Sequence, residues 1–260
     1  MIPGSLHVAS RSMLCAALLL AITPAAAAPG DKTRTAPAAA RKQASAKPAK
    51  ASLKKPKPVA NVAPVVLPQL PRSDMANRLI AWVAAAHDNG ARPYAVIDKP
   101  AAKLYLFSGN GTFLGETPVL LGIGVGDDSS PGIGAKKLEE IGPAERTTPA
   151  GRFVTRFGRA FGRQQVLWVD YANAVAIHAV ITTHKKERRV ERLLSPAVDD
   201  NRISFGCINV GTRFYSGKLK PLFEKKGGIV YILPDMKTLD EVFPRVRLLP
   251  YLGTGTEIRS

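Results

Sequence analysis

The chain has 260 residues, 45% of them hydrophobic, and a formal net charge of +17. This length suits one folded domain with extensions and argues against several domains. The charge is uneven, because residues 29–72 hold ten lysines and arginines against one aspartate, which gives that segment a net charge of +9.

The first 28 residues are typical of a secretory signal peptide. Arg11 precedes an apolar run over residues 13–22, and the alanines at 25–28 offer an Ala-x-Ala cleavage site. The run is shorter than the ~20 residues that a bilayer-spanning helix needs. We therefore expect export to the periplasm or cell envelope, with an uncleaved anchor as the alternative.

Residues 29–72 are predicted to form a disordered basic tether. The segment is built from Ala, Pro and Lys and has too few large apolar residues for a core. Export removes nucleic acid as a partner, so we expect this basic segment to bind an anionic envelope surface. A merely soluble spacer is the alternative.

Residues 73–260 are predicted to fold as one mainly β domain with a few short helices, a sandwich or barrel. A helix begins at Ser73-Asp74 and stops at Asn89-Gly90. The segment 122–149 is rich in glycine and is expected to be a long loop at a site rim or a surface excursion. The other predicted elements are strands at 94–98, 103–107, 112–114, 118–121, 152–156, 165–169, 175–180 and 228–233, and helices at 187–194 and 212–226, the second broken by Pro221.

Cys207 and His178 are the candidate catalytic pair. Cleavage after the signal leaves Cys207 as the sole cysteine, so its thiol is buried, intermolecular or reactive. A thiol is mostly protonated near neutral pH and needs a base, for which imidazole is suited. Gly206 permits unusual backbone angles, and the N–H groups of Gly206 and Cys207 could face an oxyanion. The alternative is a tight glycine turn beside a buried cysteine, with a structural histidine.

Other hydrolytic chemistries have little support in the sequence. A zinc hydrolase needs about three ligands, and no H-E-x-x-H pattern occurs. A serine enzyme of the penicillin-binding type would show S-x-x-K, which occurs only at Ser52 to Lys55 inside the tether. We expect no metal and no cofactor.

Three sequence elements together resemble the L,D-transpeptidase family of YkuD type. Residues 204–209 read Ser-Phe-Gly-Cys-Ile-Asn, similar to the family's Ser/Thr-x-Gly-Cys-apolar-Arg/Asn signature, with His178 as the upstream histidine. Residues 148–153 are similar to its T-P-x-G-x-F element, and residues 94–107 resemble its opening hairpin. The resemblance covers about residues 92–235.

The resemblance implies an L,D-transpeptidase-like catalytic domain that acts on peptidoglycan stem peptides. Cys207 would attack the carbonyl at the L-centre of diaminopimelate, His178 would transfer protons, and the N–H of Phe205 could join the oxyanion site. Ser204 and Asn209 would position the loop. Resolution by an amine gives a crosslink or protein attachment. Resolution by water would make the protein a hydrolytic relative, and a non-catalytic envelope-binding module is the third hypothesis.

Two departures from the family pattern are evident. Many members carry histidine where this chain has Phe205. The interval from His178 to Cys207, 207 − 178 = 29 positions, is also longer than usual and contains a basic stretch. Arg188 and Arg192 on its predicted helix, and Arg202 just before the nucleophile, are the candidate substrate-binding cations. A solvated helix face that pairs locally with glutamates is the alternative for the first two. The sequence does not predict an oligomeric state.

Overall fold

The structure is a computed structural model, and it describes residues 72–160 and 164–252. The predicted signal peptide and all but the last residue of the predicted tether lie outside these ranges. Within the described ranges, the search for a helix long and apolar enough to cross a membrane finds none.

Nine strands form the domain, and eight of them close into a barrel. Their order is β2-β1-β9-β4-β5-β6-β8-β3, and β3 pairs again with β2, while β7 adds to β3. This confirms the mainly β prediction. The strands are β1 Tyr94–Asp98, β2 Lys103–Phe107, β3 Phe113–Gly122, β4 Gly151–Arg159, β5 Gln165–Asp170, β6 Val175–Ala179, β7 Arg202–Ser204, β8 Ile208–Val210 and β9 Gly228–Ile232.

The barrel is mixed, with parallel pairs among antiparallel ones. β1 pairs with β9, β3 with β7, and β6 with β8 in parallel. The β6–β8 pair matters most for the predicted site, because it sets the strand that carries His178 beside the strand that follows Cys207. Parallel neighbours need long crossover connections, and the chain between β6 and β8 supplies one.

Two cores stabilise the domain on opposite faces of the same strands. Ala95 and Ile97 of β1 lie in the barrel interior, whereas Tyr94 and Val96 pack on the outside under α1. Every residue of β1 is therefore buried, which explains its continuous apolar run in place of a polar alternation. Helix α1, Asp74–Ala86, begins at the predicted position, where the Ser73 hydroxyl accepts the N–H of Ala76 at 3.1 Å.

The remaining helices are short, and some differ from prediction. The predicted strands at 112–114 and 118–121 are one continuous strand, β3. The predicted 187–194 helix starts later, because Arg188 has a φ of +49° and breaks it from the 3₁₀ turn Lys185–Glu187. Pro221 does not break its helix, since helical structure continues to Phe223 through a π segment, Tyr215–Leu219. The other helices are α2 Arg189–Leu193, α3 Thr212–Phe214, α4 Lys220–Phe223, α5 Leu239–Val242 and α6 Leu249–Leu252.

Candidate active site

The predicted nucleophile lies in a tight turn between β7 and β8. Ser204 ends β7 and Ile208 begins β8, so residues 205–207 form the turn. The Ser204 hydroxyl donates to the carbonyl oxygen of Cys207 at 2.6 Å and accepts the N–H of Gly206 at 3.1 Å. Ser204 is almost fully buried, so these bonds close the turn from inside. The Gly206 N–H, one of the expected oxyanion donors, is therefore engaged by Ser204.

The backbone geometry of the turn requires glycine before the cysteine. Gly206 has a φ of +117°, a region that residues with a Cβ rarely adopt. A Cβ there would lie 2.6 Å from the carbonyl oxygen of Thr147. Thr148 Oγ1 donates to the carbonyl oxygen of Gly206 at 2.9 Å and accepts the N–H of Gly122 at 2.9 Å. The Thr-Pro-Ala-Gly element and the Gly-Cys element thus meet at one point.

His178 lies on β6 beside the strand that follows the nucleophile. In the parallel pairing, His178 is opposite Asn209 and Ile177 is opposite Ile208. The isoleucines face the barrel core, so alternation turns His178 and Asn209 to the other face. The ring Nδ1 is 2.9 Å from the carbonyl oxygen of Ala179, and Nε2 is 3.2 Å from Asn209 Nδ2. Because a carbonyl only accepts, the ring proton is on Nδ1.

The Cys207 thiol lies against Ala174, the residue that precedes β6. Its Sγ is 3.6 Å from the carbonyl oxygen of Ala174, a residue held at a φ of +57°. That conformation is uncommon for a residue with a Cβ. Within residues 72–160 and 164–252 the thiol has no hydrogen bond to His178, whose Nε2 is occupied by Asn209. Proton transfer from Sγ to Nε2 therefore requires the Asn209 amide to move first.

The protonation states of the two groups complement each other. Burial raises the pKa of the Cys207 thiol, although the backbone of Ala176 and the positive charge of Arg189 oppose that rise. Burial lowers the pKa of His178; the Ala179 carbonyl opposes this and Arg189 adds to it. Near neutral pH the thiol is thus protonated and the imidazole is neutral. A protonated thiol needs a base, and a neutral imidazole can accept its proton.

An arginine that the sequence did not single out contacts this site. Arg189 Nη1 donates to Asn209 Oδ1 at 2.8 Å, and its Nε donates to Glu187 Oε2 at 2.6 Å. The Arg189 side chain is only 11% exposed. The basic stretch between His178 and Cys207 therefore reaches the site through Arg189.

Phe205, in the same turn, also has a cationic neighbour. The guanidinium carbon of Arg146 lies 3.9 Å from the centre of the Phe205 ring, a cation–π contact. Arg146 is fixed by two bonds, from Nε and Nη2 to the carbonyl oxygen of Ile141, at 3.0 and 2.8 Å. The glycine-rich segment 122–149 thus contacts the nucleophile turn through Arg146 and Thr148, as a site rim would.

The three predicted substrate-binding arginines occupy different surroundings. Arg202 Nη2 donates to the buried Asp235 at 2.6 Å, and its Nη1 is buried without a hydrogen-bond partner. Arg188 is exposed and pairs with Glu191. Arg192 donates to the carbonyl oxygens of Glu187 and Asp200 at 3.2 and 3.3 Å. Arg188 and Arg192 line one pocket together with Glu187 and Glu191, and Arg202 is not among its lining residues.

Sequence reasoning missed Arg189 and Arg146 because neither lies in a motif. The sequence does place Arg189 one residue beyond Arg188, in a helix whose start was predicted too early. A prediction that began the helix after Arg188 would have made Arg189 its first residue. Arg146 could have been found only from the expectation that segment 122–149 forms a rim.

Comparison with known proteins gives structural matches only. No protein-family model matches the chain, and no curated protein sequence matches it. The structure is similar to solved structures of L,D-transpeptidases. One, from Mycobacterium smegmatis, is 14% identical with a TM-score of 0.32, over 55% of this chain and 58% of that one. One from Enterococcus faecium is 18% identical with a TM-score of 0.32, over 55% and 50%.

A third match has the TM-score 0.37 and 13% identity, over 68% of this chain and 62% of the other. It is the helical cell shape determining protein of Campylobacter jejuni. The chain spans only 50% to 58% of the length of the first two structures.

Proposed function

We propose that this protein is a cysteine acyltransferase that acts on peptidoglycan stem peptides. The observation that supports the proposal is the parallel pairing of β6 with β8. It sets a neutral His178, with its lone pair on Nε2, beside Asn209, two residues after Cys207. Cysteine acyl transfer needs a base that can accept the thiol proton, and a neutral imidazole beside the strand that follows Cys207 can serve as one.

The reaction begins when the Asn209 amide leaves Nε2 of His178. The ring then accepts the Cys207 thiol proton, and the thiolate sulfur forms a bond to the carbonyl carbon of the donor peptide. The oxyanion accepts a hydrogen bond from the N–H of Cys207. It accepts a second one from the N–H of Gly206 once that group's bond to Ser204 breaks. The C–N bond then breaks, and Nε2–H gives its proton to the departing amine. By the motif resemblance, that amine is the terminal D-alanine.

The acyl-enzyme is resolved by an amine or by water. An amine acceptor gives a crosslink or a protein attachment, and this is the reaction we propose. Water would make the protein a carboxypeptidase or an amidase that detaches protein from peptidoglycan. We also propose that residues 1–28 are a signal peptide and residues 29–72 a tether, so that the domain works in the envelope.

A carbapenem tests the acyl-enzyme, since this β-lactam class acylates the family that the motifs resemble. Intact-mass measurement should show one adduct on the wild type and none on Cys207→Ala. His178→Ala should slow acylation by about 10²–10⁴-fold near neutral pH, and higher pH should restore part of the rate by forming thiolate. His184→Ala, which alters an exposed histidine, is the matched control.

Two results would contradict the proposal. An adduct that persists on Cys207→Ala would place the nucleophile elsewhere. A greater loss of acylation in His184→Ala than in His178→Ala would mean that a different imidazole is the base. Muropeptide analysis of cells with and without the enzyme then separates new crosslinks from new tripeptides or released protein.

A further inference from the structure

A continuous series of hydrogen bonds runs from the basic stretch to the imidazole. Glu187 accepts from Arg189, Arg189 donates to Asn209 Oδ1, Asn209 Nδ2 meets Nε2 of His178, and Nδ1 of His178 donates to the Ala179 carbonyl. From Arg189 onward every donor points in the same direction. The directed part of the series starts at the Arg189 guanidinium, which can only donate, and ends at the Ala179 carbonyl, which can only accept.

The direction of the series is fixed by Arg189. A side-chain amide has a donating and an accepting end, and either could face a histidine. Guanidinium has no acceptor, so the Asn209 oxygen must face Arg189, and the NH₂ group must face the ring. The NH₂ group donates to Nε2, which leaves Nδ1 to carry the ring proton.

We propose that Arg189 is a positioning residue of the acyl-transfer site, which orients the Asn209 amide and thereby keeps His178 neutral with its proton on Nδ1. The inference rests on the proposed role of His178 as the base. Without Arg189 the amide can rotate and present its oxygen to Nε2. The ring would then lie between two acceptors, Asn209 Oδ1 and the Ala179 carbonyl, and that surrounding stabilises the doubly protonated imidazolium.

The charge of Arg189 acts on His178 in the same direction as the hydrogen bonds do, because both disfavour the protonated imidazolium. The charge of Arg189 opposes protonation of His178 and favours the Cys207 thiolate. Glu187 is the carboxylate partner of Arg189. On the β5 side, Leu167 and Trp168 lie beside Ile177 and Ala176 and do not titrate, and the carboxylate of Asp170 belongs to the residue that pairs with Val175 at the start of β6. Loss of Arg189 should raise the pKa of both His178 and Cys207. A ring with a lowered pKa also returns its proton more readily to a leaving amine.

The test that reads the ring directly is ¹⁵N NMR of the histidines in the full chain, with His178 assigned through His178→Gln. Wild type should show a protonated Nδ1 and an unprotonated Nε2 at neutral pH. Arg189→Ala should raise the midpoint of the His178 titration by about one pH unit. Asn209→Asp, whose carboxylate can only accept, should raise it further. An unchanged ring and titration in both variants would overturn the proposal.

The second test is the pH dependence of Cys207 alkylation by iodoacetamide. Where the alkylation rate rises with pH, Arg189→Ala should react about tenfold more slowly than wild type at the same pH. This corresponds to a shift of the curve by one pH unit. Lys185→Ala removes an exposed positive charge from the same stretch and should shift neither curve. An equal shift in Lys185→Ala would show that net charge alone is responsible, and the positioning role would be wrong.

These measurements also separate the inference from the proposed function. If Cys207 is acylated by a carbapenem but Arg189→Ala leaves the His178 ring unchanged, the inference fails and the function stands. If the ring changes as expected but Cys207 is never acylated, Arg189 does orient the pair and the acyl-transfer function fails.

Discussion

Two long connections flank the nucleophile turn, and they are held in opposite ways. The segment 123–150, between β3 and β4, is fixed by buried charge. Lys99 Nζ, with no exposed surface, donates to the Gly126 carbonyl at 2.6 Å, to Asp127 at 2.8 Å and to the Thr148 carbonyl at 2.9 Å. The segment 180–201, between β6 and β7, carries its ion pairs nearer the surface, such as Arg188–Glu191, whose side chains are 72% and 61% exposed.

The contrast indicates that the two connections have different structural roles around the thiol. Buried ion pairs resist change, because removing one partner leaves an uncompensated charge away from water. Exposed pairs contribute little and exchange easily. The 123–150 side therefore supplies a rigid wall that fixes Gly206 through Thr148. The 180–201 side supplies a more adjustable wall. Asn201 fastens its end by a buried bond to the Val119 carbonyl, and the part-buried contact of Arg189 with Asn209 acts on the base.

The largest effect is expected from removing the cation that anchors the rigid side. Lys99→Met should lower the free energy of unfolding by about 3–5 kcal/mol, because Asp127 and Asp235 lose a buried partner. Urea unfolding measures this as a lower midpoint. Lys237→Met is the matched control. Its pair with Asp128 has side chains 42% and 75% exposed, so the urea midpoint of this variant should stay close to that of wild type.

Equal losses in the two variants would contradict the contrast between the two connections. They would mean that the buried cluster around Lys99 contributes no more than a surface pair. A large loss confined to Lys99→Met would also be accompanied by slower acylation, since Thr148 and Gly206 depend on the same wall.

The sequence predicted the parts of the fold that repeat a pattern. Strands β1, β2, β5, β6 and β9 were predicted from apolar runs, and the structure has them. The roles of Cys207 and His178 were inferred from the motif resemblance and stay a prediction. β7 and β8 were missed, because three residues are too few to show alternation. Lys99 could not be recognised as buried, since a lysine before proline in a turn is usually solvated. Its burial depends on Asp127 and Asp235, which are distant in sequence.

Acid should weaken the rigid side by protonating Asp127. Burial alone would raise the pKa of Asp127, but Lys99 and the N–H groups of residues 235–237 outweigh it and lower the pKa to about 2. A lowered pKa in the folded state stabilises the fold above the unfolded value, and this contribution is lost as pH falls through about 2. Urea midpoints measured from pH 5 to pH 2 should therefore fall in wild type.

The same series on two variants isolates the Asp127 contribution. At pH 5, Asp127→Asn should have a lower urea midpoint than wild type. Its midpoint should then fall less between pH 4 and pH 2, because its side chain cannot be protonated there. Asp128→Asn, at the exposed neighbour, should keep the wild-type slope. An Asp127→Asn protein with the wild-type slope would show that other carboxylates carry the acid sensitivity.

The smallest expected effect distinguishes two roles for Arg202. The sequence position of Arg202, five residues before Cys207, favoured a contact with substrate carboxylates. Its geometry favours support of the rigid wall, because Nη2 holds Asp235 at 2.6 Å and Asp235 also lies 3.2 Å from Lys99. Arg202→Ala leaves Asp235 paired with Lys99, so we expect a loss of about 1–2 kcal/mol, less than for a fully orphaned charge.

Kinetics then separate support from orientation of substrate. If Arg202 only supports the wall, Arg202→Ala should reduce muropeptide turnover and Cys207 alkylation by a small neutral reagent in equal proportion. If it orients the stem peptide, turnover should fall far more than alkylation, because the reagent carries no carboxylate for an arginine to hold. We expect the equal loss. The unpartnered Nη1 of Arg202 is the group that a carboxylate would have to reach, and it is buried beside Asp235, whose negative charge would repel that carboxylate.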